Sequence, residues 1–107
     1  MKASYVQRGE TIDFKNNTVA VIAANEVVVL TSRIGVAATE IQIGAMGAVN
    51  VTGVYDIPAA NGTAFTVGQD LFYKDGLIVA ESTDATPAGY AVSPKEANGT
   101  VARVKIG

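Results

Sequence analysis

The chain has 107 residues, ten acidic against eight basic, and a net charge of −2, with no cysteine, histidine or tryptophan. A chain of this length is expected to form a single domain, with a core built largely from valine and alanine. Without cysteine there is no disulfide or thiolate chemistry, and without histidine the commonest general base and metal ligand are missing. The basic residues are scattered, so the clustered Lys and Arg that bind nucleic acid are absent.

The N-terminal segment carries no export or membrane signal. Residues 1–8 lack the long apolar core of a signal peptide, and the longest apolar runs are far too short to cross a bilayer. The sequence therefore predicts a soluble product made in the cytosol, without a membrane partner. Tyr5 and Val6 favour a strand but precede Gly9. We interpret residues 1–9 either as an ordinary edge strand or as an arm that pairs with the sheet edge of a neighbour.

Strand patterns begin immediately after this segment. Residues 11–15 alternate between apolar and polar, which predicts a strand. The dipeptide Asn16-Asn17 is typical of a tight hairpin turn, so residues 18–23 are predicted as the returning strand. Residues 27–31 form a continuous β-branched run that favours a strand buried on both faces, and residues 34–38 are predicted as the next strand.

The second part of the chain also shows strand and turn patterns. Residues 48–57 predict one long strand, with Gly53 marking a bulge or a close backbone approach inside it and Pro58 ending it. Asp75-Gly76 is a strong hairpin signal between two short strands. No helical period occurs. The predicted fold is all-β: one domain over residues 1–107, a small compact β-sandwich or partly open barrel of short antiparallel strands. The remaining predictions are strands at 70–74, 77–80, 89–93 and 100–106, and loops at 40–47, 59–68 and 81–88.

One stretch of sequence recurs. Gly35-Val36-Ala37-Ala38 leads through a polar loop to an alternating strand at 47–53, and Gly89-Tyr90-Ala91-Val92 leads through another to a strand at 99–107. Either an internal duplication or convergence of turn and strand patterns explains this recurrence.

Candidate chemistry is sparse. The inventory lacks the residues for a Ser-His or Cys-His nucleophile. The nearest carboxylate pairs are Asp70 with Asp75 and Glu81 with Asp84, but both lie beside turns, where such residues usually face water. No loop has the ligand spacing of a calcium site, and no glycine-rich segment precedes a helix. The sequence therefore predicts no catalytic residue, no cofactor and no metal site.

The four tyrosines are dispersed. They form either a sugar- or protein-binding face or caps on the core with their hydroxyls in water. We predict that Tyr55 and Tyr90 lie at an oligomer interface. With the arm residues Tyr5, Val6, Gln7 and Arg8, they make up the candidate surface for binding a partner protein or a second copy.

Six segments, taken in order, extend over nearly the whole chain: Tyr5-Val6-Gln7-Arg8-Gly9-Glu10-Thr11-Ile12, Arg33-Ile34-Gly35-Val36-Ala37, Val51-Thr52-Gly53-Val54-Tyr55-Asp56-Ile57-Pro58, Val67-Gly68-Gln69-Asp70-Leu71-Phe72-Tyr73, Gly89-Tyr90-Ala91 and Val101-Ala102-Arg103-Val104. In this order they resemble the capsid cement, or head-decoration, proteins of tailed phages. One departure from that family is Ala23-Ala24-Asn25-Glu26, where a glycine is expected before the following strand.

The resemblance implies a non-catalytic β protein of a phage or prophage, made in the bacterial cytoplasm and carried on the outer surface of the virion. It would bind the expanded head, bridge subunits of the major capsid protein, and associate with itself, as a homotrimer rather than a dimer. The alternative is a non-catalytic β module that binds carbohydrate or protein on a phage tail or a cell surface, and its required feature is an aromatic platform.

Overall fold

The structure is a computed structural model that describes residues 1–107, and it contains nine strands and no helix. The all-β prediction is therefore confirmed. The strands are β1 (Thr11–Lys15), β2 (Val27–Leu30), β3 (Arg33–Ala37), β4 (Met46–Asn50), β5 (Gly53–Pro58), β6 (Asp70–Lys74), β7 (Leu77–Val79), β8 (Thr86–Ala91) and β9 (Val101–Ile106).

These strands form two sheets in which every strand pair is antiparallel. The first has four strands in the order β1-β4-β3-β2, and the second has five in the order β5-β9-β8-β6-β7. Neither sheet closes into a barrel. The turn predicted at Asp75-Gly76 joins β6 and β7, and both residues have the positive φ values, 52° and 84°, that a tight hairpin needs.

The hairpin predicted from Asn16-Asn17 is wrong. Residues 18–23 form no strand, and β1 pairs instead with β4, with Thr11 opposite Asn50 and Lys15 opposite Met46. The reason lies in Asn16, which is fully buried and uses its side chain to organise the loop that follows. Its amide group donates to the carbonyl oxygens of Ala20 and Ile41, so it is held in the core and does not occupy a two-residue hairpin turn.

The single strand predicted over residues 48–57 is in fact two strands in different sheets. β4 ends at Asn50 and β5 begins at Gly53, whose φ is 127°. The alternation of apolar residues continues across the break, which is why the sequence reads as one strand. Gly53 is instead the point where the chain passes from the first sheet to the second.

Two further predictions need correction. The run at 27–31 is an edge strand of the first sheet rather than one buried on both faces, and Val29 is 47% exposed. A run of β-branched residues cannot by itself distinguish a central strand from an edge strand. The predicted loop at 81–88 contains the start of β8, where Pro87 lies opposite Phe72 beside a register shift. Proline is tolerated there because a bulge removes the need for its N–H group.

The two sheets are built to the same plan. We define the N-terminal half as residues 10–51 and the C-terminal half as residues 53–106. The order β1-β4-β3-β2 corresponds to β5-β9-β8-β6, and β7 is an addition to the C-terminal half. The cross-strand pairs of the first sheet have equivalents of the same register in the second. Thr11–Asn50 corresponds to Val54–Lys105, Ile12–Val49 to Tyr55–Val104, Val27–Val36 to Asp70–Tyr90, and Val28–Gly35 to Leu71–Gly89.

The correspondence extends to the loops. Ile22 and Ile41 exchange two backbone hydrogen bonds, and Phe65 and Lys95 exchange two in the equivalent place. Two further backbone hydrogen bonds are matched. The bond from Asn25 N–H to Ala37 O corresponds to the bond from Gly68 N–H to Ala91 O. The bond from Ala38 N–H to Ala48 O corresponds to the bond from Val92 N–H to Arg103 O. Convergent turn patterns account for a similar hairpin but not for matched loop contacts. The structure therefore favours an internal duplication.

The same correspondence explains the departure from the family pattern before β2. Asn25 has a φ of 69°, and the equivalent residue of the C-terminal half is Gly68, with a φ of 87°. Asparagine is one of the few residues other than glycine that adopt this left-handed conformation readily. The turn geometry is therefore retained without the expected glycine.

Candidate interaction surfaces

The residues that carry chemistry are not brought together. No group of three or more His, Cys, Asp or Glu side chains is placed to hold a metal ion. Asp70, Asp75, Glu81 and Asp84 are all exposed. The structure contains no helix of the length and apolarity needed to cross a membrane. The features that remain for function are surfaces.

The first surface is the N-terminal arm, residues 1–9. It forms no strand and makes no backbone–backbone hydrogen bond. Tyr5 and Val6 are more than four-fifths exposed. Gln7 Nε2 donates to Thr11 O over 2.8 Å, and Arg8 lies 3.9 Å from Glu10 at the root of the arm. The arm thus has free backbone groups and exposed apolar side chains, the properties that allow a segment to pair with a sheet edge.

The second surface lies on the outer face of the five-stranded sheet. Val54 on β5, Lys105 on β9 and Tyr90 on β8 are successive cross-strand neighbours. Val54 and Tyr90 are exposed, and Lys105 Nζ lies 5.9 Å from the centre of the Tyr90 ring. We call this row the Tyr90 face. An aromatic ring beside a cation and aliphatic groups suits a protein contact.

An ion pair borders the Tyr90 face. Arg103 on β9 lies opposite Asp56 on β5, with Nε 3.0 Å from Oδ1 and the second contact at 3.3 Å. The hydrogen bond from Arg103 lowers the pKa of the Asp56 carboxyl group. Because both side chains are exposed, the pair orders the surface more than it stabilises the fold.

Tyr55 does not belong to the Tyr90 face. It lies opposite Val104 on β9, one residue before Lys105, so its side chain points to the other side of the sheet. Tyr55 is half-buried and lines a cavity of about 280 Å³ with Val27 and Val36 of the N-terminal half. The structure therefore separates the two tyrosines that were predicted to share an interface.

Two apolar clefts open on the N-terminal half, and neither was predicted from the sequence. One, of about 500 Å³, is lined by Ile12, Leu30 and Val51, with Arg33 also in its lining. The other, of about 310 Å³, follows the free edge of β2 and includes Phe14 and Val29. Neither cleft has a counterpart motif in the sequence, because residues from several separate segments line each one.

An all-β chain with an unpaired arm, an exposed aromatic ring on an outer sheet face and apolar clefts offers several surfaces suited to contact with another protein. The sequence model of the phage cement protein family matches residues 6–106, nearly the whole chain. The chain therefore belongs to the phage cement protein family, and it is a structural component of the virion capsid. No curated protein and no solved structure matches it.

Proposed function

We propose that this protein decorates the outer surface of the expanded phage head and stabilises it by bridging neighbouring subunits of the major capsid protein. The observation that carries the proposal is the match to the cement family from residue 6 to residue 106. The duplicated, all-β body supports it, because a bridging protein needs a stiff body with more than one contact surface.

The proposed mechanism is mechanical. A protein that binds the expanded lattice and not its precursor stabilises the expanded state by mass action. At a free concentration of 100 times Kd, each site contributes about 2.7 kcal/mol. Since every copy contributes separately, modest interfaces add up over the whole shell. The role needs no bond to be made or broken, and membership of a family of structural proteins supports a non-enzymatic function.

The arm is the proposed contact with the capsid. Tyr5, Val6, Gln7 and Arg8 would become ordered when the segment adds a strand to the edge of a capsid subunit. The backbone of residues 1–9 is free to do so, because none of its groups is used in the body of the protein. Exposed Tyr5 and Val6 would supply the apolar contacts of the added strand.

The experiment is a binding assay with expanded heads that lack the protein. We expect the full chain to co-sediment with heads at a fixed stoichiometry and to raise their rupture temperature. A chain without residues 2–8 should keep its fold, measured by far-UV circular dichroism, and lose binding. The double variant Tyr5→Ser/Val6→Ser separates side-chain contacts from backbone pairing, and Val19→Ser, at another exposed valine, is the matched control.

Two outcomes contradict the proposal. Unchanged head binding by the truncated chain would exclude the arm as the capsid contact. Failure of the full chain to bind expanded heads, together with retention on a glycan array, would replace the capsid role with that of a carbohydrate-binding module.

We also propose that the protein associates with itself, as a homotrimer, and that Tyr90 lies at the contact. Its exposed ring and the neighbouring Val54 support this assignment. Sedimentation equilibrium of the free protein, whose chain mass is 11.0 kDa, measures the number of copies.

A further inference from the structure

The contact between the two halves is one-sided. The larger core cluster combines C-terminal residues with Ile34 and Val36 of β3, and Val27, Tyr55 and Tyr73 pack against it. The smaller cluster contains residues of the N-terminal half only. The outer side of the β2–β3 hairpin therefore packs onto the inner side of the C-terminal sheet, and no such contact is returned.

We call the residues onto which the β2–β3 hairpin packs the receiving site. The duplication identifies the equivalent residues in the other half. In the C-terminal half the receiving site is formed by Tyr55, Tyr73 and Ile106, and Ile106 is fully buried. The matched registers make Ile12, Leu30 and Val51 their equivalents in the N-terminal half. Ile12 and Leu30 are half-buried, as Tyr55 and Tyr73 are, whereas Val51 is half-buried and Ile106 is fully buried. All three line the open cleft of about 500 Å³, and no side chain of the C-terminal half enters the N-terminal core as Val36 enters the C-terminal core.

We call the side of a hairpin that packs into a receiving site the inserting surface. The duplication identifies this surface in both halves as well. Val36, which inserts into the C-terminal receiving site, corresponds to Tyr90, because Val36 lies opposite Val27 as Tyr90 lies opposite Asp70. Val36 is 3% exposed, whereas Tyr90 is 40% exposed. One chain therefore contains one completed contact, one unused inserting surface and one unused receiving site.

We propose that the Tyr90 face of one copy docks into the Ile12–Leu30–Val51 cleft of a second copy and so repeats the contact between the two halves of a single chain. The proposal rests on the self-association proposed above and specifies its geometry. Arg33 lines the cleft, and Tyr90 lies between Asp70, of opposite charge to Arg33, and Lys105, of the same charge, so the support comes from the duplication and not from charge. The contact is heterologous, because different surfaces of the two copies meet, and it closes into a ring when the rotation divides a full turn. In a trimeric ring, six similar halves would alternate around the axis.

The absence of cysteine allows a direct test. Val36 and Tyr55 line the same cavity within one chain, and their equivalents across the proposed contact are Tyr90 and Ile12. Tyr90→Cys and Ile12→Cys are made as separate proteins and mixed under oxidised glutathione. We expect a disulfide-linked pair of chains in the mixture and none in either protein alone. Val101→Cys, on the same sheet face but distant from Tyr90 along it, is the control and should not link to Ile12→Cys.

A second measurement does not depend on cross-linking. Tyr90→Asp should raise the Kd for self-association at least about tenfold, since a buried aromatic anchor is replaced by a charge. Val19→Asp, at a fully exposed valine outside both surfaces, should leave it unchanged. Circular dichroism and melting curves show whether each variant is folded.

The possible outcomes separate this inference from the proposed function. Disulfide dimers from Tyr90→Cys alone would show a symmetric contact and overturn the inference. So would a mixture that stays unlinked at the highest soluble concentration, or a Tyr90→Asp variant that associates normally. Cross-linking by a protein that does not bind heads would leave the inference standing and overturn the proposed capsid role.

Discussion

The two halves of this molecule share strand order, register and loop contacts, but they differ in what covers them. The C-terminal half is covered in part by the additional strand β7, with Ile78 fully buried, and by Ile34 and Val36 of the other half, although a cleft of about 250 Å³ opens beside Phe65 and Val79. The N-terminal half has neither cover, and clefts of about 500 and 310 Å³ open on it. The same backbone plan thus yields one half with a larger, better covered core and one with a smaller core and larger clefts.

The cores differ in one further respect that the duplication makes visible. Ile41 in the N-terminal core is replaced by Lys95 in the C-terminal half. Lys95 is buried, its Nζ lies 4.9 Å from the centre of the Phe65 ring, and it donates to the carbonyl oxygens of Thr63 and Glu96. The cation is accommodated because the aromatic face and the two carbonyls replace its water.

The largest loss of folding stability is expected at a glycine of the repeat that has no room for a side chain. Gly89 has a φ of 135°, and a Cβ there would overlap the carbonyl oxygen of Lys105. At the equivalent Gly35, φ is ordinary, and a Cβ would meet the side chain of the buried Val49 before the backbone oxygen of Asn50. Gly89→Ala should cost roughly 3–5 kcal/mol and Gly35→Ala about 1–3 kcal/mol, measured by urea unfolding. Equal losses would show that the two positions are equivalent in strain as well as in register.

The next largest loss of folding stability is expected when the buried side-chain amide of Asn16, which has no equivalent in the C-terminal half, is removed. Asn16 accepts a hydrogen bond from Thr18 N–H at 3.0 Å and donates to Ile41 O at 3.0 Å, whereas its C-terminal equivalent is Ala59. Asn16→Ala should destabilise the fold by about 2–3 kcal/mol, because buried polar groups lose their partners. Asn17→Ala, at an exposed neighbour, should change stability by less than about 0.5 kcal/mol. A neutral Asn16→Ala variant would contradict the organising role given to this side chain.

A smaller effect reports on the contact between the halves. Burial, and then the charge of Glu26 in the other half, raise the pKa of Tyr73. The folded protein therefore holds this proton more tightly than the unfolded chain does. Stability should be constant below the unfolded value near 10.0 and fall as the pH rises through the folded value.

Glu26→Gln should lower the pKa of Tyr73 without returning it to the ordinary value, because burial remains. Absorbance titration at alkaline pH, with Tyr73→Phe subtracted, isolates this tyrosine from the other three. An unchanged Tyr73 titration in Glu26→Gln would show that the two halves do not bring these groups together in solution.

The smallest effect belongs to the exposed ion pair beside the Tyr90 face. Arg103 lowers the pKa of Asp56 in the folded state, so its contribution is present above the unfolded value of 3.8 and is lost as the pH falls through the lower folded value. Arg103→Gln should raise the pKa of Asp56, measured by carboxyl ¹³C NMR, and leave the melting temperature at pH 7 nearly unchanged. Asp13, the equivalent of Asp56 in the N-terminal half, lies opposite Ala48 and has no arginine beside it.

The sequence alone predicted the fold class, the Asp75-Gly76 hairpin and the recurrence, since local alternation and turn residues decide these. It could not predict the pairing of β1 with β4, because Asn16 has the identity of a turn residue and the environment of a core residue. The sheet change near Gly53 was hidden, since alternation continues through it. The clefts and the Tyr90 face required the tertiary structure, because partners such as Ile12, Leu30 and Val51 are distant in sequence.

The free edge of β2 has a consequence for association between copies of the chain. An unpaired strand edge offers its N–H and C=O groups to a strand of another molecule. Here β2 has only four residues, and Thr31, with a φ of 58°, turns the chain immediately after it. So short a template offers few donors and acceptors to an added strand, which limits aggregation through this edge.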